Sequence, residues 1–158
     1  MAYFRDGTRY AYHRTGSRPK SRNAGWLDAS HKYSTGTVPP EFVRRLILLA
    51  QNPVNHMRGC HFCDLCPPVE LSAPLEWEHD RPIGEQLPPP PHAVCRFEDE
   101  EWTIVANGEI RVAEPNGTRW TAPTLIVHYV LSHNYRPPAG FVTAVLTGSV
   151  LPDPQRAT

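Results

Sequence analysis

Apolar residues recur at helical spacing in three stretches of the chain. In Pro40–Gln51, Phe42, Val43, Leu46, Ile47, Leu49 and Ala50 share one side, and Arg44, Arg45 and Gln51 fall on the other. Pro39-Pro40 is a helix-start signal and Asn52-Pro53 ends the pattern. A second helix is expected from about 123 to 133, with Pro123 in its first turn and Thr121 as a candidate cap. Its stripe of Leu125, Ile126, Tyr129 and Val130 is widened by Val127 and Leu131, so burial on most sides is expected. Pro137-Pro138 opens a third helix over about 139 to 146.

Between the helices the period changes to two. Trp102-Thr103-Ile104-Val105, Glu109-Ile110-Arg111-Val112 and Thr118-Arg119-Trp120-Thr121 read as strands of a meander, joined at Asn107-Gly108 and at Pro115-Asn116-Gly117. Near the start, Tyr3-Phe4 and Tyr10-Ala11-Tyr12 flank Asp6-Gly7 and read as a hairpin, followed by a polar loop from 14 to 23. Gly25-Trp26-Leu27-Asp28 is a short apolar insertion, with Trp26 expected in the core and Asp28 at a turn or cap. The expected fold is α+β: a small antiparallel meander sheet with two to three helices, stabilised by metal.

Composition adds a constraint. Eighteen of the 158 residues are proline, about twice the usual share, which favours extended segments and turns. Many lie between about 67 and 92, a stretch expected to form a stiff loop within one domain spanning 1–158. The longest aliphatic run, Leu46-Ile47-Leu48-Leu49-Ala50, is far short of a membrane span, and the N-terminus lacks the apolar core of a signal peptide. A cytoplasmic location is therefore expected, where thiols stay reduced and close cysteines read first as metal ligands.

Charge is balanced overall but not along the chain. Residues 1–60 carry ten Lys/Arg and three Asp/Glu, whereas residues 61–101 carry two and ten. The basic residues are scattered rather than clustered, so mutual neutralisation in the fold is expected before nucleic-acid binding.

The densest chemistry is Cys60-His61-Phe62-Cys63-Asp64-Leu65-Cys66. It contains two overlapping C-x-x-C pairs and an H-x-C-x-x-C reading, donor types that zinc takes in a tetrahedron. No strand–helix pattern brackets it as in a thioredoxin-like redox motif. Seven residues cannot wrap a tetrahedron without strain, so a distant donor is needed from among His56, His79, Cys95, His128 and His133. The buried second helix is the best platform. His128 and His133 would diverge by about 140° on one continuous helix, which argues against both binding one ion. His128, mid-helix at the stripe edge, is preferred over His133, which reads as a satisfied core histidine near the helix end. Cys95 reads as a lone buried thiol.

Several segments together resemble an uncharacterised bacterial domain family. They are Gly25-Trp26-Leu27-Asp28, Pro53-Val54-Asn55 with Arg58-Gly59-Cys60-His61-Phe62-Cys63-Asp64-Leu65-Cys66, Glu109-Ile110-Arg111-Val112, and Leu125 through Val130 with Tyr135-Arg136-Pro137-Pro138. The family pattern reads R-G-x-H-x-C-x-x-C, often with an aromatic residue where this chain has Cys60. The resemblance implies that His61, Cys63 and Cys66 are the shared donors and that Cys60 is a departure. It implies no activity. With His128, the expected ligand set for one structural zinc is His61, Cys63, Cys66 and His128.

Enzymatic signatures are weak. Glu76-Trp77-Glu78-His79-Asp80-Arg81-Pro82 faintly resembles an HNH nuclease core but lacks the later Asn and His and the second C-x-x-C. The deaminase H-x-E and the metalloprotease H-E-x-x-H are both missing from the sequence. Glu109 and Arg111, on one strand face, are expected in a cross-strand salt bridge rather than in a pocket. The expected function is a non-enzymatic binding or adaptor protein, of an immunity or regulatory kind, with a protein partner. No membrane or nucleic-acid partner is expected. The alternative is a metal-dependent hydrolase or HNH-like nuclease.

Overall fold

The computed structural model describes residues 3–12, 20–56, 62–67, 91–103 and 107–152. Its elements are β1 (Ser21–Asn23), α1 (Pro40–Gln51), a short 3-10 turn (Pro91–Ala93), β2 (Val94–Phe97), β3 (Glu100–Thr103), β4 (Glu109–Ala113), β5 (Arg119–Pro123), α2 (Ile126–Ser132), α3 (Ala139–Thr147) and β6 (Ser149–Val150). The fold is α+β, as expected. A mixed sheet runs β1-β5-β4-β6, with β1 parallel to β5 and the other pairs antiparallel. A separate two-stranded sheet pairs β2 with β3. Helix α3 packs on β4, β5 and α1, and α2 packs between α1 and β2.

The core follows the helical stripes. Phe42 of α1 meets Phe141 of α3, and Leu46 and Ile47 of α1 with Ile126, Val127 and Tyr129 of α2 are buried in the same cluster. Burial of each such side chain contributes about 1.5–3 kcal/mol. Helix α1 has the predicted limits, Pro39 opening it and Asn52 closing it. The turn at Pro115-Asn116-Gly117 also forms as predicted, with Gly117 at φ 86° and the Asn116 side chain accepting from Thr118 N–H.

Five local expectations are corrected. The Asp6-Gly7 turn exists, with Gly7 at φ 76°, but its flanks do not pair with each other. Phe4 and Arg9 bridge to Trp26 and Arg22 instead. The reason is burial: Phe4, Tyr10 and Tyr12 enclose Trp26, whose indole N–H donates to the Thr121 carbonyl in the core. The same pairing turns part of the presumed loop, Ser21–Asn23, into an edge strand on β5.

The meander is also split. β3 pairs with β2, because the open edge of β4 is taken by β6 and by a bridge from Val54 to Glu109. Helix α2 begins after Pro123, which ends β5 opposite Glu109, and Thr121 is a strand residue rather than a cap. Finally, Glu109 and Arg111 do form an ion pair, at 2.5 Å, but along one strand and not across two. Glu109 is wholly buried and also accepts the Tyr10 hydroxyl proton, so the N-terminal segment is tied to β4. Asp28 meets expectation as a turn residue, its carboxylate accepting from Ser30 N–H.

Gly25 stands where three segments converge. It has φ 70°, its N–H donates to Asp6 Oδ1 at 2.9 Å, and an added Cβ would lie 2.7 Å from Ile126. Replacing it with alanine combines backbone strain with overpacking. The expected loss for Gly25→Ala is about 2–4 kcal/mol, read as a lower urea midpoint at unchanged slope. A midpoint equal to the parent's would refute this account of the packing.

Candidate metal centre

Four donor atoms from two distant parts of the chain converge. Cys63 Sγ, Cys66 Sγ and one ring nitrogen each of His128 and His133 all lie within 4.8 Å of one another. The two cysteines come from a tight turn over Asp64-Leu65, closed by Cys66 N–H donating to the Cys63 carbonyl at 3.4 Å. Cys63 is buried and Cys66 half-buried. His128 projects from the middle of α2 and is also buried.

His133 arrives differently. Helix α2 stops at Ser132, and His133 caps it at φ −118° and ψ 12°. Asn134 follows at φ 52°, and the N–H groups of His133 and Tyr135 both donate to the Tyr129 carbonyl. An asparagine in this left-handed position is a common helix stop. The turn brings the His133 ring back over the helix end, so the 140° divergence expected of a continuous helix does not apply. His128 Nε2 and His133 Nε2 are 3.1 Å apart. Asn134 was the signal in the sequence for this change of direction.

The distances suit a tetrahedral ion. Cys66 Sγ lies 3.2 Å from His128 Nε2, and both sulfurs lie 3.3 Å from His133 Nε2. A tetrahedron with ordinary zinc bond lengths separates its nitrogens by about 3.3 Å and its nitrogen–sulfur pairs by about 3.5 Å. His128 Nδ1 lies 3.4 Å from Ser132 Oγ. The tautomer that donates there leaves Nε2 its lone pair, the arrangement that orients metal-binding imidazoles.

Electrostatics at the group favour neutral donors. Burial holds His128 down to about 4, with the charges of His133 and His92 acting in the same direction. Burial also lowers His133. The Cys63 thiol is pushed up to about 11, chiefly by burial and further by Cys66 beside it. Neutral imidazoles are ready ligands, whereas the Cys63 thiol needs a nearby positive charge to ionise. Such a charge is what a divalent cation supplies.

Not all candidate donors gather here. His61 and Cys60 lie outside the described residues, as do His79 and the HNH-like stretch 76–82. His56 is exposed and is not part of the group. Cys95 is buried on β2, and its thiol is pushed up to about 11 by burial alone. His92, which the sequence did not single out, is buried with its ring edge-on to Phe62 and 6.1 Å from His128.

Fold and site together define an α+β domain with a two-cysteine, two-histidine group able to hold a metal ion. The chain belongs to the family described as Domain of unknown function (DUF7919), whose model matches residues 2–146. This agrees with the resemblance to an uncharacterised family. No curated protein and no solved structure matches the chain.

The group makes a direct prediction about the ligand set. Metal content by mass spectrometry should fall well below one ion per chain in Cys63→Ser, Cys66→Ser, His128→Ala and His133→Ala. The melting temperature should fall by about 5 °C or more in each. Full retention of metal in His133→Ala, with loss in His61→Ala, would replace His133 by His61 in the set.

Proposed function

We propose that this protein is a non-enzymatic binding or adaptor domain, spanning the chain as one unit, whose single structural zinc fixes the Cys63–Cys66 turn to the end of α2. The observation that carries the reading is the convergence of four soft and borderline donors within 4.8 Å. Four protein ligands complete a tetrahedron and leave no position for a reactive water, which is the signature of structural rather than catalytic zinc. Reduced cysteines of this kind suit the cytoplasm. No helix among the described residues is long and apolar enough to cross a membrane. The proposed partner is another protein, in an immunity or regulatory setting.

The alternative, a metal-dependent hydrolase or nuclease, needs an open coordination position and a free general base. Glu109 does not suit that role, because Tyr10 and Arg111 already engage both its oxygens. Substitution with cobalt discriminates the two readings. A closed two-sulfur, two-nitrogen site gives an intense tetrahedral visible spectrum that added azide or acetohydroxamate leaves unchanged. A spectrum that shifts on addition of either ligand would reveal an open position and favour the hydrolase.

A further inference from the structure

The described cations divide into those that form ion pairs and those that do not. On α1, Arg44 pairs with Glu98 and Arg45 with Glu41, and both pairs are exposed. Arg5, Lys32 and Arg136 form no ion pair with any other described residue. These three line two adjoining cavities on the face formed by the N-terminal segment, the stretch before α1 and the α2–α3 connection.

The larger cavity has a volume of about 700 Å³ and the smaller about 380 Å³. Asp6 and Ser34 line both, so the cavities meet there. The larger lobe has an apolar wall of Val38, Pro39, Pro137 and Val142, with Arg136 beside it. Pro39 and Pro137 belong to the two Pro-Pro steps that open α1 and α3, and the fixed φ of proline makes that wall stiff. Arg5 and Lys32 line the smaller lobe with Tyr3 and Tyr33. Arg136 lies over Gly36, where an added Cβ would come within 3.1 Å of its side chain.

Asp6, the single acid among the residues that line these cavities, is already engaged. Asp6 Oδ1 accepts from Gly25 N–H and Oδ2 from the Tyr135 hydroxyl, at 2.9 and 2.8 Å. Burial pushes its carboxyl above the ordinary value, against the two hydrogen bonds, which lower it. Its charge is thus directed into the fold, while the three cations are left to the cavities. Preformed volumes of roughly 300–1,000 Å³ with an apolar wall and a few polar groups are typical of small-molecule sites.

We propose that the paired cavities bind a small organic anion, a carboxylate or phosphate ester with an apolar body. Its anionic group is held by Arg136 and its body lies against the proline wall, while Lys32 and Arg5 add positive charge in the adjoining lobe. A planar guanidinium suits both anion types through paired N–H donors. The site is separate from the cysteine–histidine group and does not depend on the metal reading.

The test uses the full chain and follows backbone amide shifts by NMR during titration. The probes share one aromatic body: phenylbutyrate, its neutral amide, the corresponding amine, and phenyl phosphate. The expected result is saturable shifts in residues 32–38 and 136–143 with phenylbutyrate or phenyl phosphate, with Kd of about 1 mM or tighter. The tighter of the two anions identifies the ligand type. The amide and the amine should bind at least about tenfold more weakly. Arg136→Gln should weaken the anion about tenfold at unchanged melting temperature, since Arg136 is exposed, and Lys32→Gln should act in the same direction. Equal affinity for the amide, shifts confined to another face, no shift with either anion at millimolar concentration, or indifference to Arg136→Gln would overturn the proposal.

Discussion

The turn at His133-Asn134 is the constraint on which most of the functional surface depends. By ending α2 in a left-handed residue, it folds the His133 ring back toward His128 and so completes the four-donor group. It also reverses the chain, so that Tyr135 is buried against Asp6 while Arg136 and Pro137 reach the cavities on that face. One more turn of helix would swing His133 away and displace all three. A single backbone conformation thus sets two separate pieces of chemistry.

The N-terminal segment depends on buried polar ties rather than on a ladder of its own. Asp6 is fixed by Gly25 and Tyr135, and Tyr10 is fixed by Glu109; the ties to Tyr135 and Glu109 span much of the sequence. Glu109 is in turn neutralised by Arg111 on its own strand. Buried charges are costly when unpaired, so ties of this kind specify position more than they add net stability. They explain why residues 4–10 bridge to residues 22 and 26 and leave their own hairpin unmade.

The Cys63–Cys66 turn packs against the core beside α2. Cys63 belongs to the hydrophobic core cluster, and the paired imidazoles lie against Tyr129. Burial suppresses charge on His128, His133 and Cys63, which favours neutral imidazoles and a protonated Cys63 thiol in the absence of a cation. The group is therefore electrostatically primed for a divalent ion and poorly suited to ionise alone.

Much of this was legible in the residues themselves. Helix α1 follows from one apolar stripe with proline at one end and Asn-Pro at the other. The β4–β5 hairpin follows from alternation around an Asn-Gly turn. That Cys63, Cys66 and His128 come together follows from donor type, spacing and a buried helix, while His61, expected with them, lies outside the described residues. These features are local, and local sterics and periodicity determine them. What only the tertiary structure decided is which edges pair and which side chains meet. The edge of β4 went to β6 and Val54, Trp26 drew the N-terminal segment across to it, and the end of α2 delivered His133. Each outcome is a competition between distant segments for the same buried surface or hydrogen-bonding edge, and no local pattern records the winner.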